Sequence, residues 1–211
     1  AESAGEVTLH NGATMPTLAF GCDFGDWIGT TEFQGFLPEQ AWRAVSLALD
    51  SGYRAFDGAR AYGTERIVGT LLGQRFASGE LTRDELFITT KLAHPAAPPH
   101  INISHRRTWD ADKVDDIAQK VRDDMVGTLD DLGLGYVDLL LMHWPGGFGQ
   151  HTSSDPDFPR KARATIWGAF CGLADKGAAR AIGVSNFTIT HLRQLMKDFP
   201  DPERRPTVNQ A

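Results

Sequence analysis

Short apolar runs alternate with amphipathic stretches along most of this chain. Each apolar run predicts a buried strand, and the runs lie at 17–21, 53–57, 86–91, 137–142, 180–184 and 206–210. Between them, apolar residues recur at intervals of three and four, as on one face of a helix. This spacing predicts helices at 38–51, 65–77, 114–132 and 162–176, and another that begins after Thr188. Strands and helices that alternate in this way form a parallel sheet with helices packed against it.

A small hairpin is expected ahead of the sheet. Asn11-Gly12 is a favoured pair for the two-residue turn that joins antiparallel strands. The six predicted strands and five predicted helices then fall two units short of a closed eight-stranded barrel. The expected fold is therefore α/β: a (β/α)8 TIM barrel that is incomplete in this chain. It forms one domain over 1–211, with about six of the eight βα units and an amino-terminal hairpin.

Polar residues end these strands or follow them directly. They are Asp57, Lys91, His143, Ser185, Asn186 and Gln210. The carboxyl ends of parallel strands meet at one rim, where the active sites of such barrels are built. The sequence therefore predicts that polar groups from separate segments converge on one site.

Charge and hydropathy narrow the classes of partner. The 211 residues carry 27 acids and 21 bases, for a net charge of −6, without a long basic cluster. Nucleic acid is not expected as a partner, because phosphate binding relies on patches of Lys and Arg. A bilayer needs about 20 consecutive apolar residues, and since no stretch of this chain approaches that length, we expect no membrane span.

The cysteine count indicates a compartment. Cys22 and Cys171 are the two cysteines, too few for a disulfide framework, so a reducing compartment such as the cytoplasm is expected. The chain begins at Ala1 rather than Met. The alternative location is therefore an organelle, with the targeting peptide removed from the protein.

Four of the rim residues suggest a proton relay. Tyr62 follows Asp57 by five positions. A phenol exchanges protons poorly near neutrality because its pKa is about 10, and a nearby ammonium lowers that pKa. Lys91 is expected to supply this charge, with Asp57 holding it, while His143 orients a carbonyl oxygen. Such a site suits carbonyl reduction or alcohol oxidation. Taken singly, Asp57 and Lys91 also fit a structural ion pair, His143 a satisfied core histidine and Tyr62 a packing residue.

Several segments resemble the aldo-keto reductase family. "FDGARAYGTE" is similar to that family's Asp-x-Ala-x-x-Tyr-x-x-Glu segment, "TTKL" to its lysine strand and "LLMHWP" to its histidine strand. "AIGVSNF" and "PTVNQA" resemble two later strands, and "LHNGATMPTLAFG" fits the amino terminus. The resemblance covers nearly the whole chain.

This resemblance implies a function and a role for each residue. It implies reduction of aldehydes or ketones by hydride transfer from NADP(H), with Tyr62 as general acid/base, Lys91 and Asp57 as its tuning partners and His143 as substrate orienter. A small-molecule carbonyl compound is the implied substrate. The residues implied in cofactor binding are Gly21, Cys22, Asp57, Ser185, Asn186 and Gln210, and those implied in the substrate pocket are Trp27 and Trp144.

Departures from the family pattern affect specificity more than chemistry. Gly58 and Thr64 replace a common Thr and Asn, Cys22-Asp23 replaces a Thr-aromatic pair, and the loop at 93–112 is longer than usual. The family's last two strands, which grip the adenosine end of NADP(H), would follow Ala211. Two interpretations are open: the chain is a fragment of a longer protein, or something else covers the gap.

A non-catalytic alternative follows from the second interpretation. The chain would then be an aldo-keto-reductase-like structural subunit of a larger assembly, with a protein partner covering the open barrel edge. The long polar loops at 93–112 and 146–161 favour this hypothesis, and the intact set of four rim residues favours the enzyme. No metal is expected, because the histidines outside this set lack paired ligand spacing. The four considered are His94, His100, His105 and His151.

Overall fold

Strands and helices alternate along the chain in the predicted order. The computed structural model describes residues 5–24, 26–28, 32–34, 37–93, 114–146 and 155–211. Within these ranges the strands are β1 (Glu6–Thr8), β2 (Thr14–Pro16), β3 (Phe20–Gly21), β4 (Asp26–Ile28), β5 (Glu32–Gln34), β6 (Ala55–Asp57), β7 (Phe87–Leu92), β8 (Val137–Met142), β9 (Ala179–Ser185) and β10 (Asn209–Gln210). The helices are α1 (Pro38–Asp50), α2 (Glu65–Ala77), α3 (Val114–Leu132), α4 (Phe158–Asp175) and α5 (Ile189–Asp198).

Six of these strands form one parallel sheet, in the order β10-β9-β8-β7-β6-β3. Strands that follow one another in this series are therefore neighbours in space, as in a (β/α) barrel. The remaining described strands form two antiparallel pairs, β1 with β2 and β4 with β5. The predicted α/β architecture, with its parallel sheet and amino-terminal hairpin, is confirmed.

The sheet curls strongly. Gln210 Nε2, at the end of β10, donates to Asp57 Oδ2, at the end of β6, over 3.2 Å. Three strands lie between β10 and β6. Neighbouring strands are about 4.8 Å apart, so a flat sheet would place these two about 19 Å from each other. Their contact therefore shows that the strands bend around an axis, as barrel strands do.

Apolar residues on the two faces of the sheet form separate clusters. In β8, Leu140 and Met142 face the helices and join the large cluster, whereas Leu139 and Leu141 join a smaller one on the opposite face. This alternation follows from the two-residue period of a strand. Leu9, in the hairpin loop, belongs to the smaller cluster and is 7% exposed. The hairpin therefore covers the amino end of the curled sheet.

The predicted hairpin turn is wrong in its length. Thr8 pairs with Thr14, and the Leu9 amide donates to the Ala13 carbonyl over 2.8 Å, which leaves three residues in the loop. Gly12 has φ +82°, which is the left-handed residue of a three-residue turn. Asn11 Oδ1 accepts from the Ala13 amide over 3.2 Å, and this bond completes the turn.

Some predicted boundaries also differ from the structure. The strands predicted at 17–21 and 206–210 contain only Phe20–Gly21 and Asn209–Gln210, because β3 and β10 are the edges of the described sheet and pair on one side. The helix predicted at 162–176 begins at Phe158, where Pro159 occupies the first turn without an unsatisfied N–H. In the described segments, no helix is both long and apolar enough to cross a membrane.

Candidate active site

The predicted rim residues lie at one end of the sheet. Asp57, Ser185 and Gln210 are the last residues of their strands, Lys91 is next to last in β7, and His143 follows β8 directly. Since all these strands are parallel, the five side chains belong to the same edge. The curl of the sheet brings them together across the mouth of the barrel.

Lys91 and Asp57 form a buried ion pair. Lys91 Nζ lies 2.8 Å from Asp57 Oδ1 and also donates to the Gly58 carbonyl over 3.0 Å. The Lys91 side chain is 1% exposed and that of Asp57 is 23% exposed. A buried ammonium is tolerated only with such partners. The second carboxylate oxygen of Asp57 accepts the hydrogen bond from Gln210. The carboxylate of β6 therefore binds residues of both β7 and β10.

Tyr62 lies against both Lys91 and His143. It ends a 3-10 turn, Arg60–Tyr62, which is followed by Gly63 at φ +72°. Lys91 Nζ is 5.1 Å from the centroid of the Tyr62 ring, within the range of a cation–π contact. The ring of His143 meets that of Tyr62 edge to face, with centroids 5.6 Å apart. The four residues predicted to form the relay are therefore one cluster.

The pKa of Tyr62 is raised rather than lowered. Burial is the main cause, and the negative charges of Asp23 and Asp57 and the Cys22 thiol add to it. The expectation of a lowered pKa is wrong in this arrangement, because burial and the nearby negative charges set the net direction. Asp57, which pairs with Lys91, carries one of the negative charges that oppose ionisation of the phenol. At neutral pH the Tyr62 hydroxyl therefore keeps its proton.

His143 is neutral for similar reasons. Burial lowers the pKa of its imidazole to about 3, and the positive charge of Lys91 contributes. Its Nδ1 atom is buried and has no hydrogen-bond partner among the described residues. A satisfied core histidine would not leave this atom unpaired. Trp144, predicted for the substrate pocket, stacks on His143 with ring centroids 6.3 Å apart.

Ser185, Asn186 and Gln210 form a chain of hydrogen bonds. Ser185 Oγ donates to the Gln210 carbonyl over 2.9 Å, and Asn186 Nδ2 donates to the His143 carbonyl over 2.9 Å. Asn186 has φ +61°, a left-handed conformation that asparagine tolerates better than most residues. No described residue donates to Asn186 Oδ1 or Gln210 Oε1. These two carbonyl oxygens are available to an amide N–H of a ligand.

The residues predicted on β3 lie beside Asp57. Gly21 is in register with Asp57, and the Cys22 amide donates to the Asp57 carbonyl over 2.9 Å. Burial, and then the charge of Asp57, raises the pKa of the Cys22 thiol to about 12, so Cys22 is a small apolar group rather than a nucleophile. The Trp27 side chain is outside the described residues.

A buried ion network lies beside Tyr62 and was not predicted from the sequence. Arg60 and Glu65 flank the tyrosine in the chain and contact each other over 3.1 Å. The signal for this network is a pair of opposite charges, Arg60 and Glu65, on either side of Tyr62 in the sequence. Thr64, considered only as a departure from a family pattern, donates its hydroxyl to the Cys22 carbonyl over 2.9 Å. It thereby ties the Tyr62 segment to β3.

Comparison with known proteins identifies the family. The sequence pattern described as the Aldo/keto reductase family matches residues 24–210. This chain belongs to the aldo/keto reductase family. It is 34% identical over 216 residues to aldo-keto reductase family 1 member A1-A of Danio rerio, a match that covers 97% of the chain and 56% of the relative. It is 27% identical over 215 residues to aldose reductase C of Dictyostelium discoideum, covering 96% of the chain and 57% of the relative.

Solved aldo-keto reductase structures share the fold. A Bombyx mori aldo-keto reductase in complex with NADP superposes with a TM-score of 0.71 at 28% identity, over 99% of this chain and 58% of that one. An aldo-keto reductase complexed with NADPH gives a TM-score of 0.73 at 29% identity, over 98% of this chain and 54% of that one. The chain thus spans a little over half the length of these proteins. The predicted incomplete (β/α) barrel is confirmed.

The described residues contain no cluster of three or more His, Cys, Asp or Glu side chains suited to a metal ion. The histidines considered as ligands, His94, His100, His105 and His151, lie outside those residues, as does most of the loop at 93–112.

Proposed function

We propose that the protein containing this chain is an NADP(H)-dependent oxidoreductase that reduces aldehydes or ketones to alcohols. The contact of the Tyr62 ring with both Lys91 and His143, at the carboxyl end of a barrel sheet, is the observation that supports it most. Membership of the aldo/keto reductase family agrees with this chemistry.

The cofactor assignment rests on the available polar atoms of the rim. Asn186 Oδ1 and Gln210 Oε1 would accept the carboxamide N–H groups of the nicotinamide. The Ser185 hydroxyl donates to the backbone carbonyl of Gln210 and so holds Gln210 in place. Gly21 and Cys22 would border the ring, since they lie beside Asp57. Bound NADP(H) supplies hydride. The Bombyx mori relative was crystallised with NADP.

The chain's own residues handle the proton and orient the carbonyl. Tyr62 donates its hydroxyl proton to the substrate oxygen while the carbonyl carbon gains the hydride, and solvent then returns a proton to the phenolate. Neutral His143, whose ring meets that of Tyr62, would hydrogen-bond the same oxygen and orient it. Lys91 stabilises the negative charge that develops on Tyr62 during the transfer. These residues therefore act through positioning and electrostatics.

Replacement of Tyr62 by phenylalanine tests this assignment. Proton donation typically contributes about 10²–10⁴ to a rate, so Tyr62→Phe should lower kcat by at least about 100-fold. The measurement is NADPH absorbance with a panel of aldehydes, on the protein that contains the whole chain. Tyr136→Phe is the matched control, because its hydroxyl bonds Asp84 at the other end of the sheet. Full activity in Tyr62→Phe would refute the proposed role.

A further inference from the structure

A buried ion network lies directly behind Tyr62. The Arg60 side chain is 12% exposed, and its terminal nitrogen lies 3.1 Å from Glu65 Oε2 and 3.0 Å from Asp131 Oδ2. Its Nε is 3.9 Å from Asp124 Oδ1. Arg60 begins the 3-10 turn that Tyr62 ends, and Glu65 begins α2 three positions after Tyr62. The network therefore holds the tyrosine segment on both sides.

The same network reaches the strand that carries Lys91. Glu65 Oε1 accepts the hydroxyl of Thr90 over 2.7 Å, and Thr90 directly precedes Lys91 in β7. Glu65 also accepts the hydroxyl of Thr128 in α3 over 3.1 Å. A single carboxylate thus connects the tyrosine turn, the lysine strand and α3.

Helix α3 has space for the arginine because it carries a glycine at that point. A Cβ atom added at Gly127 would come within 2.5 Å of an Arg60 nitrogen. The guanidinium therefore lies against the α3 backbone, with the Asp131 carboxylate one turn further along the helix. A side chain at position 127 would therefore displace the Arg60 guanidinium from this place.

Stability alone does not account for such an arrangement. Burying an ion network costs about as much as its internal attractions return, and apolar residues of similar volume often do as well. A buried network does, however, restrict geometry, because each hydrogen bond has a direction. Geometry is the quantity that proton transfer requires at Tyr62.

We propose that Arg60 is a positioning residue for the proposed carbonyl reduction: through Glu65 and Asp131 it anchors the 3-10 turn so that Tyr62 stays in contact with Lys91 and His143. The inference rests on the proposed function for its catalytic consequence. Its structural part, the anchoring of the turn, stands independently of any reaction.

Arg60 and Arg66 both form ion pairs with Asp131, and variants of these two arginines test the proposal. Arg60→Met should lower kcat by about 100-fold and change KM by less than about threefold, because misplacing a reacting group by about 1 Å costs this much in the chemical step. Arg66→Met is the matched control, since Arg66 also binds Asp131 but is 74% exposed, and it should leave both constants unchanged. Arg60→Lys should recover part of kcat, because an ammonium keeps the charge but cannot bind both carboxylates in the same fork.

Amide hydrogen exchange measures the anchoring without activity. The Tyr62 amide donates to the Ala59 carbonyl within the turn, and Arg60→Met should increase exchange at 60–64 at least tenfold, with exchange in β8 unchanged. Unchanged kcat, or unchanged exchange in the turn, would overturn the proposal. If Arg60→Met fails to fold, Arg60→Lys decides by the same two measurements. A wild-type protein that reduces no carbonyl compound would refute the proposed function, while the exchange result would still test the anchoring.

Discussion

Burial sets the protonation of the two groups that face each other at the rim. It is the largest cause of the raised pKa of Tyr62 and of the lowered pKa of His143. Both are therefore neutral near pH 7: Tyr62 keeps its phenolic proton, and His143 is an imidazole with one nitrogen unpaired among the described residues. The positive charge of Lys91 contributes to the lowered pKa of His143. Its ammonium group also lies over the face of the Tyr62 ring.

The lowered pKa of His143 predicts acid sensitivity. The unfolded chain protonates this histidine near pH 6.5, whereas the folded chain does so near pH 3. Between these values the unfolded state binds the extra proton, so the free energy of unfolding falls as pH falls, by up to about 1.4 kcal/mol per pH unit. Between about pH 6.5 and pH 4, the wild type should lose about 3 kcal/mol more than His143→Gln in urea unfolding. Equal pH dependence in the two proteins would contradict this prediction.

At the scale of elements, α2 and α3 approach each other closely at one glycine. A Cβ atom at Gly69 would overlap the Asp131 carbonyl oxygen and lie 2.6 Å from backbone carbons of Leu132. Because these are backbone atoms, they cannot turn aside as a side chain would. The close approach also brings Asp131 within reach of Arg60, so helix packing and the ion network depend on each other.

Alanine substitutions at two glycines of α2 test this packing. Gly69→Ala should lower the free energy of unfolding by about 2 kcal/mol, since overpacking a filled contact costs about 1–3 kcal/mol. Gly73 lies in the same helix, and no atom is within 4 Å of a Cβ added there. Gly73→Ala should therefore raise the free energy of unfolding by up to about 1 kcal/mol. Chemical denaturation of both variants provides the measurement. A stable Gly69→Ala protein would mean that the helices separate at little cost.

At the scale of the molecule, the two ends of the sheet carry different groups. The carboxyl end holds the candidate site, and the amino end holds Asp138, whose side chain is 2% exposed. Asp138 accepts from the Ile88 amide, from Arg83 over 2.7 Å and from Arg180 over 3.3 Å. The two guanidinium groups also lie 4.0 and 4.4 Å from the ring centroid of Tyr136. Such a network at the end away from the site is expected to serve stability.

Removing the buried carboxylate should therefore destabilise the protein without affecting the reaction. Asp138→Ala leaves Arg83 partly buried without its partner and should cost about 3 kcal/mol. Asp84→Ala, the control, removes an aspartate that is 87% exposed and lies 3.6 Å from Arg180, and should cost less than about 1 kcal/mol. Both variants should keep wild-type kcat and KM at temperatures where they are folded. A large fall in kcat for Asp138→Ala would show that the two ends are coupled.

The described sheet ends at β3 on one side and β10 on the other. That a protein partner covers the edge between them stays a prediction, as does the alternative role of a structural subunit. Cys22 and Cys171 are both free, buried cysteines. The choice between cytoplasm and organelle stays a prediction.

The sequence alone determined the order of strands and helices, the hairpin and the identity of the rim residues. Apolar spacing, turn residues and strand-end polarity are local properties, and they can be read without knowing what lies opposite. Residues such as Asp57, Lys91 and His143 could therefore be grouped before any distance was known, because parallel strands place their carboxyl ends together.

Tertiary structure alone decided the curl of the sheet, the three-residue turn, the protonation states and the Arg60 network. Asp131 lies 71 positions after Arg60 and Gln210 lies 153 positions after Asp57, so no local pattern connects them. The pKa of a group depends on how much water and which charges surround it. Those surroundings are assembled from distant segments, which is why the raised pKa of Tyr62 was predicted with the wrong sign.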